Sequence, residues 1–320
     1  MAPAAESSYP TAPHAPAYLP LIKLFALDRL ESGTESPSGH KYERFRARYA
    51  PLCPSDFRVA YGGYVFGHAA YAASKTVDRG MVIHNITGSF TLPGLRWRVS
   101  RKEEHPWAPS VDSPQWTDEV ERGVRSEVRF SGTDIRKVKM QRYNASVGAQ
   151  DDPTKYRQLH FYRLFGLPGD DSDSDDSSPR DLATLRARDE AGEFDNLHVC
   201  AHLFASDRNS LYLIAWALRR AHRIKRIASL SHTVIMHTHG PAMRMIDWDR
   251  FDREAGADGT ADLGEGKGRK WFTIEAGTTR SGENRVLHQG QIWGADGTLV
   301  ATTIQDGLLR VFDDGKGVKL

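Results

Sequence analysis

The chain has 320 residues, with 43 Lys and Arg against 41 Asp and Glu and a net charge of +2, a balance that argues against a generally basic nucleic-acid binder and leaves any basic patch local. A chain of this length buries roughly three quarters of its unfolded surface, and length alone allows about two domains. Two cysteines, Cys53 and Cys200, stand far apart without metal-ligand spacing, so reduced thiols are expected rather than a disulfide framework. No run of 18 apolar residues occurs, which argues against a membrane span.

Met1 to Pro20 is rich in Ala, Pro and Ser and lacks a basic start and an apolar centre, so it is expected as a flexible leader rather than a signal peptide. Tyr18 to Glu31 is amphipathic, a short lead-in helix or strand, and Ser32 to His40 reads as a polar loop. Tyr61 to Lys75, YGGYVFGHAAYAASK, joins a glycine turn to a helix whose Gly67, Ala69, Ala70, Ala72 and Ala73 admit close neighbours. Met81 to Phe90 is rich in β-branched residues and runs into TLPG, the pattern of a strand ending in a turn. Arg98 to Trp116 is polar, proline-rich and unassigned, Val124 to Phe130 and Ile135 to Val147 read as strands, and Gln158 to Phe165 is apolar. Gly169 to Ser178, GDDSDSDDSS, cannot bury a core and is expected as a solvated linker.

The stretch Ala205 to His222 begins with Asp207 and Asn209, which suit a helix N-cap. It continues with Leu211, Ile214, Ala215 and Leu218 at helical spacing, apolar on the other faces too. A helix of that kind belongs inside a fold, so a buried central helix is expected here with Arg219 and Arg220 in its last turn. Ile227 to His239 is a strand by composition and Trp248 to Lys270 a polar loop. Three strands then follow, Trp271 to Thr278, Val286 to Trp293 and Thr298 to Ile304, the last two joined by the GADG turn at Gly294 to Gly297. The division expected is a leader over 1–20, a first half over 21–168, a linker over 169–195 and a second half over 196–320. Each half places a strand His nine residues before a Pro, His84 to Pro93 and His232 to Pro241, which suggests a duplicated fold. His237 and His239 could both reach one metal ion, but no acidic or cysteine partner joins them at suitable spacing, so no metal is expected. The absence of Gly-x-Ser-x-Gly argues against a nucleophile elbow.

On YGGYVFGHAAYAA and HNITGSFTLPG in the first half, and SDRNSL, ASLSH and GTLVATTIQDGLLR in the second, the chain resembles the acyl-CoA thioesterase II family. The resemblance implies an α+β double hotdog: two antiparallel sheets joined side by side, each wrapped around a long central helix. It also implies that Asp207, Ser229 and Gln305 surround a hydrolytic water. The chain departs from the family in having Ser231 where Asp commonly precedes the strand His, and in an insertion over about Trp248 to Lys270.

Thioester hydrolysis needs a positioned water, a group to take its proton and donors for the oxyanion. On that reading Asp207 is the base, Ser229 and Gln305 orient the water, and N–H groups of the Gly62, Gly63 turn are oxyanion candidates. Each residue has a plainer role open to it: Asp207 as a helix cap, Ser229 as a polar strand residue, Gln305 as part of an Asp-Gly turn. The cluster Arg219, Arg220, Arg223, Lys225 and Arg226 could meet the phosphates of coenzyme A, or be a solvated helix end. The function expected is hydrolysis of a fatty or specialised acyl-CoA by direct water attack. Coenzyme A is then part of the substrate and no cofactor is needed. A non-catalytic acyl-CoA-binding protein is the alternative; a hotdog hydratase is less favoured because it needs His where Tyr212 stands. A homo-oligomer is compatible with the family, and no nucleic-acid partner is expected. The tail Val318, Lys319, Leu320 is similar to a Ser-Lys-Leu peroxisomal address, so the expected location is peroxisomal or cytoplasmic.

Overall fold

The computed structural model describes residues 19–36, 38–51, 60–90, 129–130, 132–138, 140–164, 166–168, 181–208, 210–255 and 268–312. The leader over 1–18, Cys53, Asn209, the proline-rich stretch, the acidic run and the C-terminal tail lie outside them. In chain order the elements are α1 (Leu21–Leu24), β1 (Leu27–Thr34), β2 (Lys41–Ala47), α2 (Gly62–Ser74), β3 (Asn85–Ser89), β4 (Arg129–Phe130), β5 (Thr133–Lys137), α3 (Gln141–Ser146), β6 (Arg157–Leu164), α4 (Leu182–Glu190), α5 (Asp195–Ser206), α6 (Tyr212–Ala217), β7 (Ile224–Met236), α7 (Trp248–Ala255), β8 (Phe272–Gly282), β9 (Arg285–Gly294) and β10 (Leu299–Val311).

One antiparallel sheet of eight strands, in the order β3-β7-β10-β9-β8-β6-β5-β4, gathers strands from both sides of the acidic run, and β1 and β2 form a separate hairpin. Alternation explains the long strands: along β9 the residues Val286, His288, Gly290 and Ile292 are buried while their neighbours are not, the period-2 signature of a sheet with one face covered. The β8–β9 connection is a two-residue turn with Glu283 and Asn284 both at positive φ, the twist-matched hairpin geometry. The expected turn at Gly294 to Gly297 joins β9 to β10, with Gly297 at φ 83° and the Asp296 carboxylate accepting from the Thr298 N–H.

The buried central helix is α5, DNLHVCAHLFAS, not the stretch Ala205 to His222. Every residue of α5 except Asn196 is buried. Downstream, α6 spans only Tyr212–Ala217, because Arg219 enters the left-handed region at φ 56° and the Arg220 N–H closes back on the Ala215 carbonyl at 2.8 Å, a helix-ending motif usually built on glycine. Other expectations shift similarly. Ile135 to Val147 divides into β5 and α3, β1 reaches into the supposed loop as far as Thr34, and α7 occupies the start of the Trp248 to Lys270 stretch. The helix expected over Tyr61 to Lys75 is α2.

After its first turn, helix α5 is apolar apart from His198, His202 and Ser206 at i, i+4 spacing, and both histidines are fully satisfied. His198 Nε2 donates to Asp189 Oδ1 at 2.8 Å while Nδ1 accepts from the Met245 N–H at 3.3 Å. His202 Nε2 donates to the Met243 carbonyl at 2.8 Å and Nδ1 accepts from the Tyr162 hydroxyl at 2.5 Å. Buried polar groups bonded in this way specify one arrangement of the helix against its neighbours. Around them Val199, Leu203 and Phe204 share one core with Val234, Met236, Ile274, Ile292 and Val300 of the sheet and with Phe25, Tyr64 and Phe66.

Burial pushes His68 and His202 down to about 4 and His288 down to about 3, from an ordinary value of 6.5. Stability contributed by these neutral imidazoles is fully present above 6.5 and is lost as pH falls through the folded values, because the unfolded chain takes up protons first. Each adds a slope of at most about 1.4 kcal/mol per pH unit in that window. The melting temperature is therefore expected to fall steadily from pH 7 to pH 4.5; a flat profile there would contradict the assignment.

Candidate active site

Asp207 is the first residue beyond α5, and its carboxylate leaves that helix for the start of another. Its Oδ2 accepts the Gly63 N–H at 2.8 Å, in the first turn of α2, 144 residues away in sequence. No side chain of the residue preceding α2 caps the helix; Asp207 does so from across the fold. A carboxylate at the C-terminal end of α5 faces an unfavourable macrodipole, and the N-terminus of α2 supplies the favourable one. The two helices meet closely enough for this because Gly63 has no side chain: a Cβ there would lie 2.6 Å from the Phe204 carbonyl oxygen. Tyr61 closes the same junction, its hydroxyl donating to that oxygen at 2.5 Å.

The second carboxylate oxygen turns to the sheet. Gln305 Nε2, on β10, donates to Asp207 Oδ1 at 2.6 Å and to Ser229 Oγ of β7 at 2.5 Å. The three residues singled out from the sequence thus touch one another, with Gln305 between the other two. Ser210 Oγ lies 3.3 Å from the same carboxylate oxygen. Burial opposes ionisation of Asp207, but the neighbouring His232 imidazole and the donors of Gln305 and the Gly63 N–H outweigh it and hold the carboxyl below its ordinary range. Of the two glycines expected to offer N–H groups, Gly63 is engaged by Asp207, which leaves Gly62, packed against the same carboxylate, as the candidate.

Register extends the site in a way that sequence reasoning missed. His232 on β7, Gln305 on β10, His288 on β9 and Thr278 on β8 are directly opposite one another in turn, and all four are buried. Residues opposite on neighbouring strands project to the same face, so a polar row crosses four strands beside Asp207. His232 Nδ1 lies 3.8 Å from Asp207 Oδ1 and its Nε2 lies 3.1 Å from Ser206 Oγ. Gln305 Oε1, both ring nitrogens of His288 and Thr303 Oγ1 have no hydrogen-bond partner among the described residues. An unsatisfied buried polar group costs about 1–3 kcal/mol, so this row is not there for stability. The sequence signal was available in the alternation of β9, where His288 occupies a core-facing position between Val286 and Gly290.

The basic cluster lies where α6 leads into β7. Arg219, Lys225 and Arg226 are exposed, and Arg226 precedes Ser229 by about 10 Å of strand. His237 Nε2 is 2.8 Å from Thr302 Oγ1, and the His239 ring lies tilted against His84 with centroids 5.8 Å apart. Among the described residues no group of three or more metal-ligating side chains converges, and no helix is long and apolar enough to cross a membrane.

No protein-family model and no curated protein matches the sequence. Solved structures similar to this chain are type II acyl-CoA thioesterases and hotdog proteins. An acyl-CoA thioesterase II, TesB2, of Mycobacterium marinum is 16% identical with a TM-score of 0.48, over 93% of this chain and 99% of that one. A tesB protein of Mycobacterium avium subsp. paratuberculosis is 15% identical with a TM-score of 0.46, over 91% and 98%. A protein of unknown function with a hot dog fold from Alicyclobacillus acidocaldarius is 12% identical with a TM-score of 0.48, over 92% and 98%.

The helix junction yields a direct test. Gly63→Ala drives a methyl into the Phe204 carbonyl, a backbone atom that cannot rotate away, so the variant is expected to lose roughly 1–3 kcal/mol. Urea denaturation measures this, and a variant as stable as the wild type would refute the close approach.

Proposed function

We propose that this protein is an acyl-CoA thioester hydrolase with a double-hotdog architecture. The observation that carries the reading is the chain of contacts Asp207, Gln305, Ser229 at the N-terminus of α2. Strands β6, β8, β9, β10 and β7 lie side by side, and α5 is the buried one of the helices between β6 and β7 in sequence; these make one hotdog, while α2 followed by β3 begins the other.

A water hydrogen-bonded to Asp207 and steadied by Ser229 and Gln305 attacks the thioester carbonyl carbon. Its proton goes to Asp207, the carbon–sulfur bond breaks as the tetrahedral intermediate collapses, and coenzyme A leaves as the thiol. No acyl-enzyme forms. The Gly62 N–H and the positive end of α2 stabilise the oxyanion, a term worth about 10² to 10³-fold per donor. The exposed cations Arg219, Lys225 and Arg226, with Arg220 and Arg223, hold the phosphates of coenzyme A. A fatty or specialised acyl-CoA is thus the substrate and partner, the protein works in the peroxisome or cytoplasm, and homo-oligomers are compatible with the arrangement.

Asp207→Asn tests the base. The Asn oxygen still accepts the Gly63 N–H, and the Gln305 amide can rotate to present its oxygen to the new NH₂, so the fold survives. Thiol release from a panel of acyl-CoA lengths is expected to drop by roughly 10²-fold or more, with acyl-CoA binding retained. Gln305→Ala should lower turnover as well. An Asp207→Asn variant hydrolysing at the full wild-type rate would reduce Asp207 to a helix cap.

A further inference from the structure

His232 sits directly behind Asp207, and its surroundings determine where its proton lies. Ser206 has one hydroxyl proton and gives it to the Leu203 carbonyl at 2.8 Å. Its oxygen is then an acceptor, so His232 Nε2, 3.1 Å away, is the donor and carries the imidazole proton. Nδ1 then carries the lone pair, and it lies 3.8 Å from Asp207 Oδ1. A lone pair beside a carboxylate oxygen is a contact that one proton between them converts from repulsion to attraction.

The ring is held for this role. Gly88 of β3 is directly opposite His232, and a Cβ there would come within 2.8 Å of the Phe66 ring; its absence lets Phe66 lie 5.1 Å from the imidazole centroid. The titratable groups facing His232 are Asp207, on the turn after α5, and His288, on β9. His288 is buried and pushed down to about 3, so it stays neutral and uncharged towards its neighbour. The facing side chains from α2, α5 and β10 are Phe66, Ser206 and Gln305, none of which titrates.

We propose that His232 is the proton carrier of the site: the proton that Asp207 draws from the attacking water passes to His232 Nδ1 and returns through Asp207 to the departing thiolate. This rests on the thioester-hydrolase reading. The balance is complete: water oxygen bonds to the acyl carbon, one water proton makes the round trip, the carbon–sulfur bond pair stays on sulfur, and nothing is oxidised. Asp207 is well suited to pass the proton on, because a carboxylate bonded to several donors holds one poorly. Meanwhile the imidazolium formed lies against the restored carboxylate, a favourable charge pair in a buried site.

His232→Gln preserves an amide donor towards Ser206 and removes the Nδ1 acceptor. The expected result is a kcat lower by roughly 10²-fold with KM little changed. Ser206→Ala releases the imidazole from its tautomer and should lower kcat by less than His232→Gln does. Because the glutamine variant could misfold, ¹⁵N NMR of the wild-type histidines gives an independent reading: His232 is expected as the Nε2–H tautomer with Nδ1 bare. Finding the Nδ1–H tautomer overturns the proposal, as does a folded His232→Gln with wild-type kcat. An acyl group trapped on Ser206 also overturns it, by making the serine a nucleophile. A wild-type protein that releases no thiol from any acyl-CoA would instead remove the thioester-hydrolase reading on which it rests.

Discussion

The fold depends on one buried carboxylate shared between two helices. Asp207 follows α5 and caps α2, so the buried central helix and the small-residue helix are tied at a charge rather than only through apolar packing. A buried carboxylate is tolerable only if its oxygens are well supplied with donors, and here the supply comes from the backbone of α2, from β10 and from the serine that follows it. The same supply gives the site its chemistry. A carboxylate fixed at both oxygens has little freedom to reorganise, and fixed groups at a reacting centre are worth more than mobile ones.

The sheet contributes a second constraint. Register brings His232, Gln305 and His288 to one level on the face turned towards the helices, where an apolar row would pack better. Gln305 gains from this placement, since its amide reaches both Asp207 and Ser229. His288 gains nothing visible in bonds, and its ring nitrogens remain unmatched at full burial. Such a group is a departure from the agreement among local choices that stabilises the rest of the sheet, and departures of that kind gather at functional sites.

Much of this was legible in the residues, and the parts that were not have physical reasons. The strands β7 to β10 and the helix α2 follow from alternation, small-residue spacing and turn chemistry, all of which act locally. The central helix did not follow, because His198, His202 and Ser206 make α5 look less apolar than the stretch after it. Only tertiary partners such as Asp189, Tyr162 and Met243 explain those polar residues. Asp207 was identified through the family resemblance as the base, with a cap of its own downstream stretch as the plainer role; the helix it caps is α2, through Gly63, which no local spacing connects to it. Ser229 and Gln305 were identified through family resemblance, while His232 and His288 were passed over because their significance lies in cross-strand register.

The central claim is that a thioester carbonyl sits between the N-terminus of α2 and the Asp207, Gln305, Ser229 group. A crystal structure with an acyl-CoA analogue whose sulfur is replaced by a methylene, so that it cannot be hydrolysed, tests it most directly. The account predicts the ketone oxygen on the Gly62 N–H and a water bonded to Asp207 beside the carbonyl carbon. An analogue bound with its carbonyl remote from Asp207 would contradict it.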